Sequence, residues 1–280
     1  MCGYKFQNRR KPGRLSKQLV QQYIWQRQTY ADLAKKYGHS AKWVQRKLDL
    51  TKATYVVHLK RGAELVLAAD TTFFSRTRGL TAFRDTRLKK VVWWKEVIAE
   101  KADIYQSGKG HLEKNGFQIK AVVLDGRAGI REVFSGIPVQ MCHFHQKQIV
   151  NRYLTTRPKL PASIALRAIA RTIPHSNAEE FSQQLQEWFA TWEQFLKQKT
   201  TDASTGRWYY THKRTRAAYR SLIKNLPYLY TYQKYPELHI PNTTNSLDGY
   251  FNRLKSLLNV HHGMNPRRRY RMITKIFAGR

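Results

Sequence analysis

Two short apolar runs, each followed at once by an aspartate, constrain the fold of this chain more than any other feature. Residues 65–69 read LVLAA and precede Asp70, and residues 121–124 read AVVL and precede Asp125. Uninterrupted apolar runs of this length are typical of strands buried on both faces of a sheet. We therefore expect an α/β fold in which both aspartates lie at the C-terminal ends of central strands, where such sheets place ligand sites.

Each of these aspartates has a structural and a functional interpretation. As structural residues they end a strand or begin a turn, and Asp125–Gly126 is a common turn signal. As functional residues they hold a cation, because a buried carboxylate is costly unless it is paired or binds metal. Two carboxylates on neighbouring strands would also repel, and a divalent cation would relieve that repulsion. Taken singly, each aspartate leaves both interpretations open.

A third acid, Asp248, lies in the segment NTTNSLDGYFNRLKSLLN. The pattern of this segment predicts a helix over about residues 243–260. The apolar residues with helical spacing are Leu247, Phe251, Leu254 and Leu258. Asp248 falls in the first turn, where the helix dipole favours a negative charge. Lys255, two turns later, shares its edge and is placed to meet a phosphate. The alternative is that Asp248 is an ordinary acid at a helix N-terminus.

The charge of the chain favours a polyanionic partner. Its 280 residues include 51 Lys and Arg but only 18 Asp and Glu, a formal net charge of +33. Seven Trp, 16 Tyr and 12 Phe indicate a folded protein rather than a disordered basic tail. Nucleic acid is the expected partner, because phosphate neutralisation and counterion release supply most of the affinity in such complexes.

The same composition argues against a membrane or secreted protein. No run of eighteen apolar residues is present, so we expect no membrane span and no membrane partner. Cys2 and Cys142 give no disulfide framework, which fits a reducing compartment. The expected location is the cytoplasm, in association with the nucleoid.

Residues 15–50 have the pattern of a helix-turn-helix domain. The residues spaced for one buried face of its first helix are Tyr30, Leu33, Ala34 and Tyr37. Gly38 is suited to end this helix in a left-handed conformation, and Ser40 is suited to cap the next, which buries Val44 and Leu48. The residues that the second helix turns outward, as candidate DNA contacts, are Lys42, Trp43, Gln45, Arg46 and Lys47. The alternative is a plain helical hairpin with a solvated basic face.

Four motifs together resemble the Mutator-like bacterial insertion-sequence transposases of the DDE type. They are VLAADTTFF around Asp70, VVLDGRAGI around Asp125, MCHFH at 141–145 and TTNSLDGYFNRLK around Asp248. The resemblance covers about residues 60–265 and implies an RNase H-like catalytic core, interrupted by an all-helical insertion and preceded by a helix-turn-helix domain. The third acid of the family is usually Glu, whereas this chain has Asp248.

The resemblance also implies a domain order. The predicted segments are a basic arm (1–14), a helix-turn-helix domain (15–50), the first part of the core (60–150), a helical insertion (151–240), the third-acid helix (241–265) and a basic tail (266–280). The arm contains CGYKF, which resembles half of a zinc ribbon. Cys2 alone cannot build a four-ligand structural zinc site, so a free thiol is the simpler interpretation.

The resemblance assigns the catalysis to Asp70, Asp125 and Asp248. These carboxylates would hold two Mg²⁺ or Mn²⁺ ions about 4 Å apart, one activating water or a DNA 3′-OH and the other stabilising the leaving oxygen. Cys142 and His145 match a family pair after the second acid and are candidate accessory residues. The residues expected to neutralise DNA phosphates are Arg127, Lys255, Arg267, Arg268 and Arg269. The partners would be double-stranded DNA, both transposon terminal inverted repeats and target DNA, bound by a homodimer or larger assembly.

Three alternatives stay open at this stage. An RNase H-like nuclease such as a Holliday-junction resolvase would use similar acids. A catalytically decayed or domesticated transposase would bind its sites without cutting. A tryptophan of the stripe Trp188, Phe189, Trp192 and Phe195 is either a core residue or a platform for a DNA base.

Overall fold

The computed structural model of the protein describes residues 13–51, 55 and 59–279. The chain divides into two compact units. We call Leu59–Asp248 the sheet unit, and the described parts of Met1–His58 and Gly249–Arg280 the terminal unit. Cys2 and most of the predicted basic arm lie outside the described residues.

The strands are β1 Glu64–Ser75, β2 Arg78–Asp85, β3 Lys90–Val97, β4 Gln118–Leu124, β5 Val139–Met141, β6 Lys199–Thr201 and β7 Trp208–Tyr210. The helices are α1 Arg14–Val20, α2 Tyr30–Tyr37, α3 Ala41–Asp49, α4 Ala102–Lys114, α5 Ala128–Val133, α6 His143–Leu154, α7 Pro161–Thr172, α8 Ala178–Lys197, α9 Lys213–Leu229, α10 Thr231–Lys234, α11 Asn245–Leu258 and α12 Pro266–Ala278. In this described part of the chain, no helix has both the length and the apolar character needed to cross a membrane.

A mixed sheet forms the centre of the sheet unit. Its strand order, within the described residues, is β3-β2-β1-β4-β5. β1, β2 and β3 are antiparallel neighbours, whereas β4 and β5 run parallel to β1. The predicted α/β class is confirmed in this coarse sense.

The two apolar runs lie where the sequence predicts buried strands. Residues 65–69 of β1 and 121–124 of β4 are each at most 1% exposed. One expectation is wrong, because Asp70 does not end its strand. β1 continues to Ser75, and Asp70 still pairs with Ala82 of β2. Asp70 lies instead near the point where β1 leaves its parallel neighbour β4, since the last β1–β4 pair is Ala68 with Val123.

Helix α4 covers β2 and β3 at close range. A Cβ atom at Gly108 would lie 2.7 Å from the Phe83 ring and 2.8 Å from the Trp93 ring. The helix therefore needs glycine at this point to approach the sheet. Tyr105 and Leu112 of the same helix are buried.

Residues 151–240 are mainly helical, as the sequence predicts. Their core includes Leu166, Phe181, Trp188 and Leu222, all at most 4% exposed. The indole N–H of Trp188 donates to the carbonyl of Ala162 at 3.0 Å, so this tryptophan is a core residue. The sequence analysis missed the two-stranded hairpin of β6 and β7 that interrupts these helices.

A buried polar network ties the helical segment to the sheet. The guanidinium of Arg131 donates to the Gly126 carbonyl at 3.0 Å and to Oδ1 of Asn225 at 2.9 Å. The amide of Asn225 in turn donates to Oε1 of Gln146 at 2.7 Å. The turn that follows Asp125 is thereby held against α9.

The terminal unit contains the predicted pair of short helices. Gly38 ends α2 with φ 63°, a left-handed conformation that suits glycine. Oγ of Ser40 accepts a hydrogen bond from the Trp43 backbone N–H at 3.2 Å and caps α3. Both predictions are confirmed, and Val44 is buried as expected.

Segments from both ends of the chain build the terminal unit. Arg268 forms a bidentate pair with Asp49, with its shortest contact at 2.7 Å. Nε2 of His261 lies 2.9 Å from the Tyr23 carbonyl, and the two rings stack at 3.9 Å. The helices α2 and α3 therefore share one packed unit with residues 249–279.

Candidate functional site

Asp70 and Asp125 are brought together by the parallel pairing of β1 and β4. The last pair between these strands is Ala68 with Val123, and in each segment an aspartate lies two residues further along the chain. Asp125 follows the end of β4, and both of its oxygens are engaged. Oδ1 accepts from the Arg127 backbone N–H at 3.1 Å, and Oδ2 lies 3.5 Å from the Arg127 guanidinium.

Asp70 is the most strongly perturbed acid of this group. Burial raises its pKa to about 7, and the negative charges of Asp248 and Asp125 contribute in the same direction. A hydrogen bond from the Thr71 backbone N–H, at 2.7 Å, and the positive charge of His145 oppose the rise. Asp70 therefore interacts with three of the residues that the sequence places at the site, Asp125, Asp248 and His145.

Asp248 reaches the site from the first turn of α11. Its backbone N–H donates to the Thr244 carbonyl at 3.1 Å. The hydroxyl oxygen of Thr244 lies 3.3 Å from Oδ2 of Asp248. The apolar residues predicted for this helix are all buried: Leu247, Phe251, Leu254 and Leu258. Asp248 itself is half-buried.

Cys142 and His145 form a pair beside the acids. The Cys142 thiol is fully buried, and its sulfur lies 3.4 Å from both the backbone nitrogen and the hydroxyl of Thr244. Although burial alone would raise the pKa of Cys142, its hydrogen bonds with His145 and Thr244 lower it below the usual value. The hydrogen bond with Cys142 raises the pKa of His145 to about 9, and the charges of Asp70 and Asp248 add to the rise.

Thr244 therefore connects the pair of Cys142 and His145 with the acids, because it contacts both Cys142 and Asp248. Thr244 directly precedes α11, four residues before Asp248, and this position gives no hint of the sulfur contact. That contact depends on β5 delivering Cys142 from a distant part of the chain.

Glu100 and Tyr105 are further residues that the sequence analysis missed. The Glu100 side chain is only 6% exposed and pairs with the Arg127 guanidinium at 2.9 Å. The Tyr105 hydroxyl donates to Glu100 at 2.6 Å and lies 3.3 Å from the hydroxyl of Thr71. A chain of polar contacts thus runs from Glu100 to the residue next to Asp70.

The oxygen donors of the site suit a hard divalent cation, although the side chains are not arranged as a set of metal ligands. Asp70, Asp125 and Asp248 supply carboxylate oxygens, the ligands that Mg²⁺ and Mn²⁺ prefer. Burial and the mutual repulsion of these acids disfavour the charged form of Asp70, which a cation would relieve. Among the described residues, no group of three His, Cys, Asp or Glu side chains has a metal-binding arrangement.

The predicted DNA-contacting residues differ in their surroundings. On α3, Lys42 and Arg46 are exposed, whereas Trp43, Gln45 and Lys47 are half-buried. The Trp43 ring stacks on His39 at 3.8 Å, and Lys47 lies over its face at 5.5 Å. Helix α3 therefore combines the exposed cations Lys42 and Arg46 with the Trp43 ring.

Two predicted phosphate contacts are already engaged with carboxylates. Arg127 pairs with Glu100 and Asp125, and Arg268 pairs with Asp49. Arg267 is exposed, while Arg269 and Lys255 are half-buried. A phosphate contact by Arg127 or Arg268 stays a prediction that requires these ion pairs to rearrange.

The chain matches no protein-family model and no curated protein sequence. Among solved structures, it is similar to a chain of the cryo-EM structure of the simian T-cell lymphotropic virus intasome in complex with PP2A regulatory subunit B56 gamma. The identity is 14%, the match covers 57% of this chain and 69% of that one, and the TM-score is 0.23. A TM-score this low defines neither fold nor activity.

Proposed function

We propose that this protein is a DNA transposase of the DDE type, with Asp70, Asp125 and Asp248 as its catalytic acids. The observation that carries the proposal is the electrostatic coupling of three aspartates from separate elements, which helps to raise the pKa of Asp70 to about 7. Strand β1, the turn after β4 and the first turn of α11 supply one acid each. Such perturbed carboxylate groups are typical of functional sites.

The topology of the sheet supports an RNase H-like core for this site. That fold has the same strand order, with three antiparallel strands followed by two parallel ones. The helical segment between Cys142 and Asp248 fits the insertion implied by the resemblance to Mutator-like transposases. Its hydrophobic core includes Met141 of β5, and Asn225 of this segment accepts a hydrogen bond from Arg131 of α5.

In the proposed reaction, the three carboxylates would hold two Mg²⁺ or Mn²⁺ ions, which supply Lewis-acid activation of the nucleophile and stabilisation of the leaving oxygen. Bound cations would favour the charged form of Asp70, which burial and the neighbouring acids otherwise disfavour. The hydroxyl of Thr244 would help to orient Asp248. Arg127 holds the oxygens of Asp125 and shields its charge until substrate enters.

The substrate would be double-stranded DNA, with the terminal inverted repeats of the element bound first and target DNA later. The formal charge of +33 supports a polyanionic partner. Exposed Lys42 and Arg46 on α3 would contact the repeat. We further propose that the protein acts as a homodimer or larger assembly on DNA, in the cytoplasm and close to the nucleoid.

The first test is Mg²⁺-dependent cleavage of a duplex that carries the terminal repeats found in the DNA flanking the gene. Asp70→Asn and Asp125→Asn should each abolish strand cleavage while leaving binding of the repeat nearly intact. Glu237→Gln changes an exposed acid outside the site and should cleave like the wild type. Near-normal nicking by either aspartate variant would remove the site assignment.

The second test concerns Asp248, the acid whose identity departs from the family pattern. Asp248→Ala should lose cleavage without losing the fold, because the half-buried side chain lies beside the apolar face of α11 rather than on it. Asp248→Glu should keep or raise the single-turnover rate, since Glu is the usual family residue. If Asp248 only begins the helix, the alanine variant would lose about 0.3–1 kcal/mol of stability and cleave normally.

A decayed transposase that binds its sites without cutting is the second candidate. The ion pair of Arg127 with Asp125 favours it, because an oxygen needed for a cation is already engaged. Sequence-specific binding of the repeat together with no cleavage by the wild type in Mg²⁺ or Mn²⁺ would select this candidate.

A further inference from the structure

We propose that the groove between helices α6 and α7 binds the sugar-phosphate backbone of duplex DNA next to the cut. The groove encloses about 240 Å³, and its polar lining consists of Lys147, Gln148, Asn151, Arg167 and Arg171. We call it the phosphate groove. It lies apart from the three aspartates, and the choice of DNA as its occupant rests on the proposed function.

The stretch of chain that forms the phosphate groove carries positive charge without any acid. Residues 133–178 contain six Lys and Arg and no Asp or Glu. Three of these cations, Lys147, Arg167 and Arg171, line the groove. Within the part of the chain that the structure describes, none of the three forms an ion pair with a carboxylate. Cations that line one groove repel each other, and a bound phosphate would relieve that repulsion.

Helical spacing places the polar residues of the groove in two rows. Lys147 and Asn151 are one turn apart on α6 and therefore lie on one side of that helix. Arg167 and Arg171 are related in the same way on α7. Nε of Arg167 donates to Oδ1 of Asn151 at 2.9 Å, which joins the two rows. This bond holds the guanidinium in place and leaves its other N–H groups for an anion.

Helix α6 connects the phosphate groove with the acids. His145, which interacts electrostatically with Asp70 and Asp248, lies in the first turn of this helix. A helix rises about 1.5 Å per residue, so Lys147 lies about 3 Å and Asn151 about 9 Å further along the axis than His145. Each strand of duplex DNA has one phosphate per about 3.4 Å of helix axis. The phosphate in the groove would therefore lie a few nucleotides from the cut.

The side chains of the groove are of the kinds that contact a DNA backbone. Gln148 and Asn151 add neutral amides to the cations, and amides, lysines and arginines commonly bind phosphate and sugar oxygens. Phe144, which also lines the groove, is 42% exposed and offers apolar surface to a deoxyribose. An acidic protein segment would match the cations too, but the nearness of acids that act on DNA in the proposed reaction favours DNA. Such contacts position the duplex without reading its sequence.

The first test measures binding of the full-length chain to the terminal-repeat duplex by fluorescence anisotropy in EDTA, so that no strand is cut. The logarithm of the association constant is plotted against the logarithm of salt concentration. Lys147→Gln and Arg171→Gln should each reduce the slope by about one, because each removes one phosphate contact. Lys224→Gln is the matched control, since it removes an exposed lysine of the same helical segment that does not line the groove. Its slope should stay near that of the wild type.

The second test locates the contact on the DNA. Single phosphates of the duplex are replaced in turn by neutral methylphosphonates, and each duplex is titrated with the wild type, Lys147→Gln and Arg171→Gln. At the phosphate that occupies the groove, the replacement should weaken binding by the wild type and have little further effect on either variant, because their contact is already lost. Circular dichroism and melting temperature would show that each variant is folded. Arg171 is exposed, so Arg171→Gln still decides the question if Lys147→Gln does not fold.

Three results would overturn the proposal: unchanged slopes in folded Lys147→Gln and Arg171→Gln variants, an equal reduction of the slope in Lys224→Gln, or additive losses at every methylphosphonate position. Binding of polyglutamate that depends on Lys147, with duplex affinity that does not, would replace DNA by an acidic protein segment. Asp70→Asn should bind the duplex with the wild-type slope. A wild type that never cuts but shows the methylphosphonate effect would contradict the proposed catalysis and leave the phosphate groove in place, so the two failures are distinguishable.

Discussion

The charged form of Asp70 lowers the free energy of unfolding, and this penalty depends on pH. Its pKa is raised to about 7 by burial and by the neighbouring aspartates, whereas an aspartate in the unfolded chain titrates near about 4. Between these values the folded state binds the proton more tightly than the unfolded state. The contribution of Asp70 to stability is therefore full below about pH 4 and is lost as the pH rises through about 7.

Replacement of Asp70 by an uncharged isostere should remove this penalty. In the absence of divalent cations, Asp70→Asn should melt at a higher temperature than the wild type at about pH 8, and the difference should vanish near about pH 4. Added Mg²⁺ should raise the melting temperature of the wild type more than that of the variant, because ligand binding to the native state stabilises it.

Glu237→Gln serves as the control for this prediction, since it removes an exposed carboxylate outside the site. Its melting temperature should follow that of the wild type at both pH values. An Asp70→Asn variant that is less stable than the wild type at high pH would show that Asp70 is held by favourable contacts. The inference that a divalent cation relieves an unfavourable charge at Asp70 would then lose its basis.

At the scale of the element, the turn between α2 and α3 depends on two residues. The Ser40 cap satisfies the Trp43 backbone N–H, and the loss of such a cap costs about 1 kcal/mol. Ser40→Ala should therefore lower the free energy of unfolding by about that amount. Gly38→Ala should lower it as well, because alanine is strained at a φ of 63°.

Urea denaturation followed by circular dichroism would measure both effects. Ser107→Ala is the matched control, because Ser107 is exposed in the interior of α4 and alanine is the better helix former there. That variant should be as stable as the wild type or slightly more stable. A Ser40→Ala variant that behaves like Ser107→Ala would show that the cap contributes nothing.

The elements that were predicted correctly are those whose signals are local. Gly38 and Ser40 act on their own backbone, and the apolar face of α11 follows from spacing alone. The end of β1 was predicted wrongly because residues 71–75 owe their strand conformation to β2, not to their own apolar pattern. The hairpin was missed because β6 and β7 have only three residues each.

At the candidate site, too, the sequence reveals residues with local signals and misses those that depend on distant contacts. The aspartates could be proposed from the sequence because each follows a local signal, a buried run or a helix start. Glu100 and Thr244 were missed because their contacts with Arg127 and Cys142 join residues far apart in the chain. Of the two interpretations of the stripe on α8, that of a core residue is confirmed for Trp188, which is buried and donates to the Ala162 carbonyl.

At the scale of the whole molecule, the positive charge should make DNA binding steeply dependent on salt. The logarithm of the association constant should fall linearly with the logarithm of salt concentration, with a slope set by the number of phosphates contacted. Lys42→Ala and Arg46→Ala should each reduce that slope by about one, because both exposed cations lie on α3.

Lys114→Ala removes the same charge from an exposed position on α4 and should change the slope less than either α3 variant. Fluorescence anisotropy titrations on one duplex over a series of salt concentrations would measure all four proteins. Equal slopes for the wild type and both α3 variants would move the DNA interface away from this helix.

The terminal unit is discontinuous, and helix α11 crosses from the sheet unit into it between Asp248 and Gly249. Chain synthesis therefore fixes an order of assembly. The helices α2 and α3 leave the ribosome first, but Asp49 and Tyr23 must wait for Arg268 and His261, which are translated after every strand of the sheet. A product that stops before Gly249 contains Asp70, Asp125 and Asp248 and lacks the residues that pack against Asp49 and Tyr23. If α2 and α3 bind DNA as proposed, premature termination would thus leave the proposed catalytic acids in a product whose DNA-binding helices lack their packing partners.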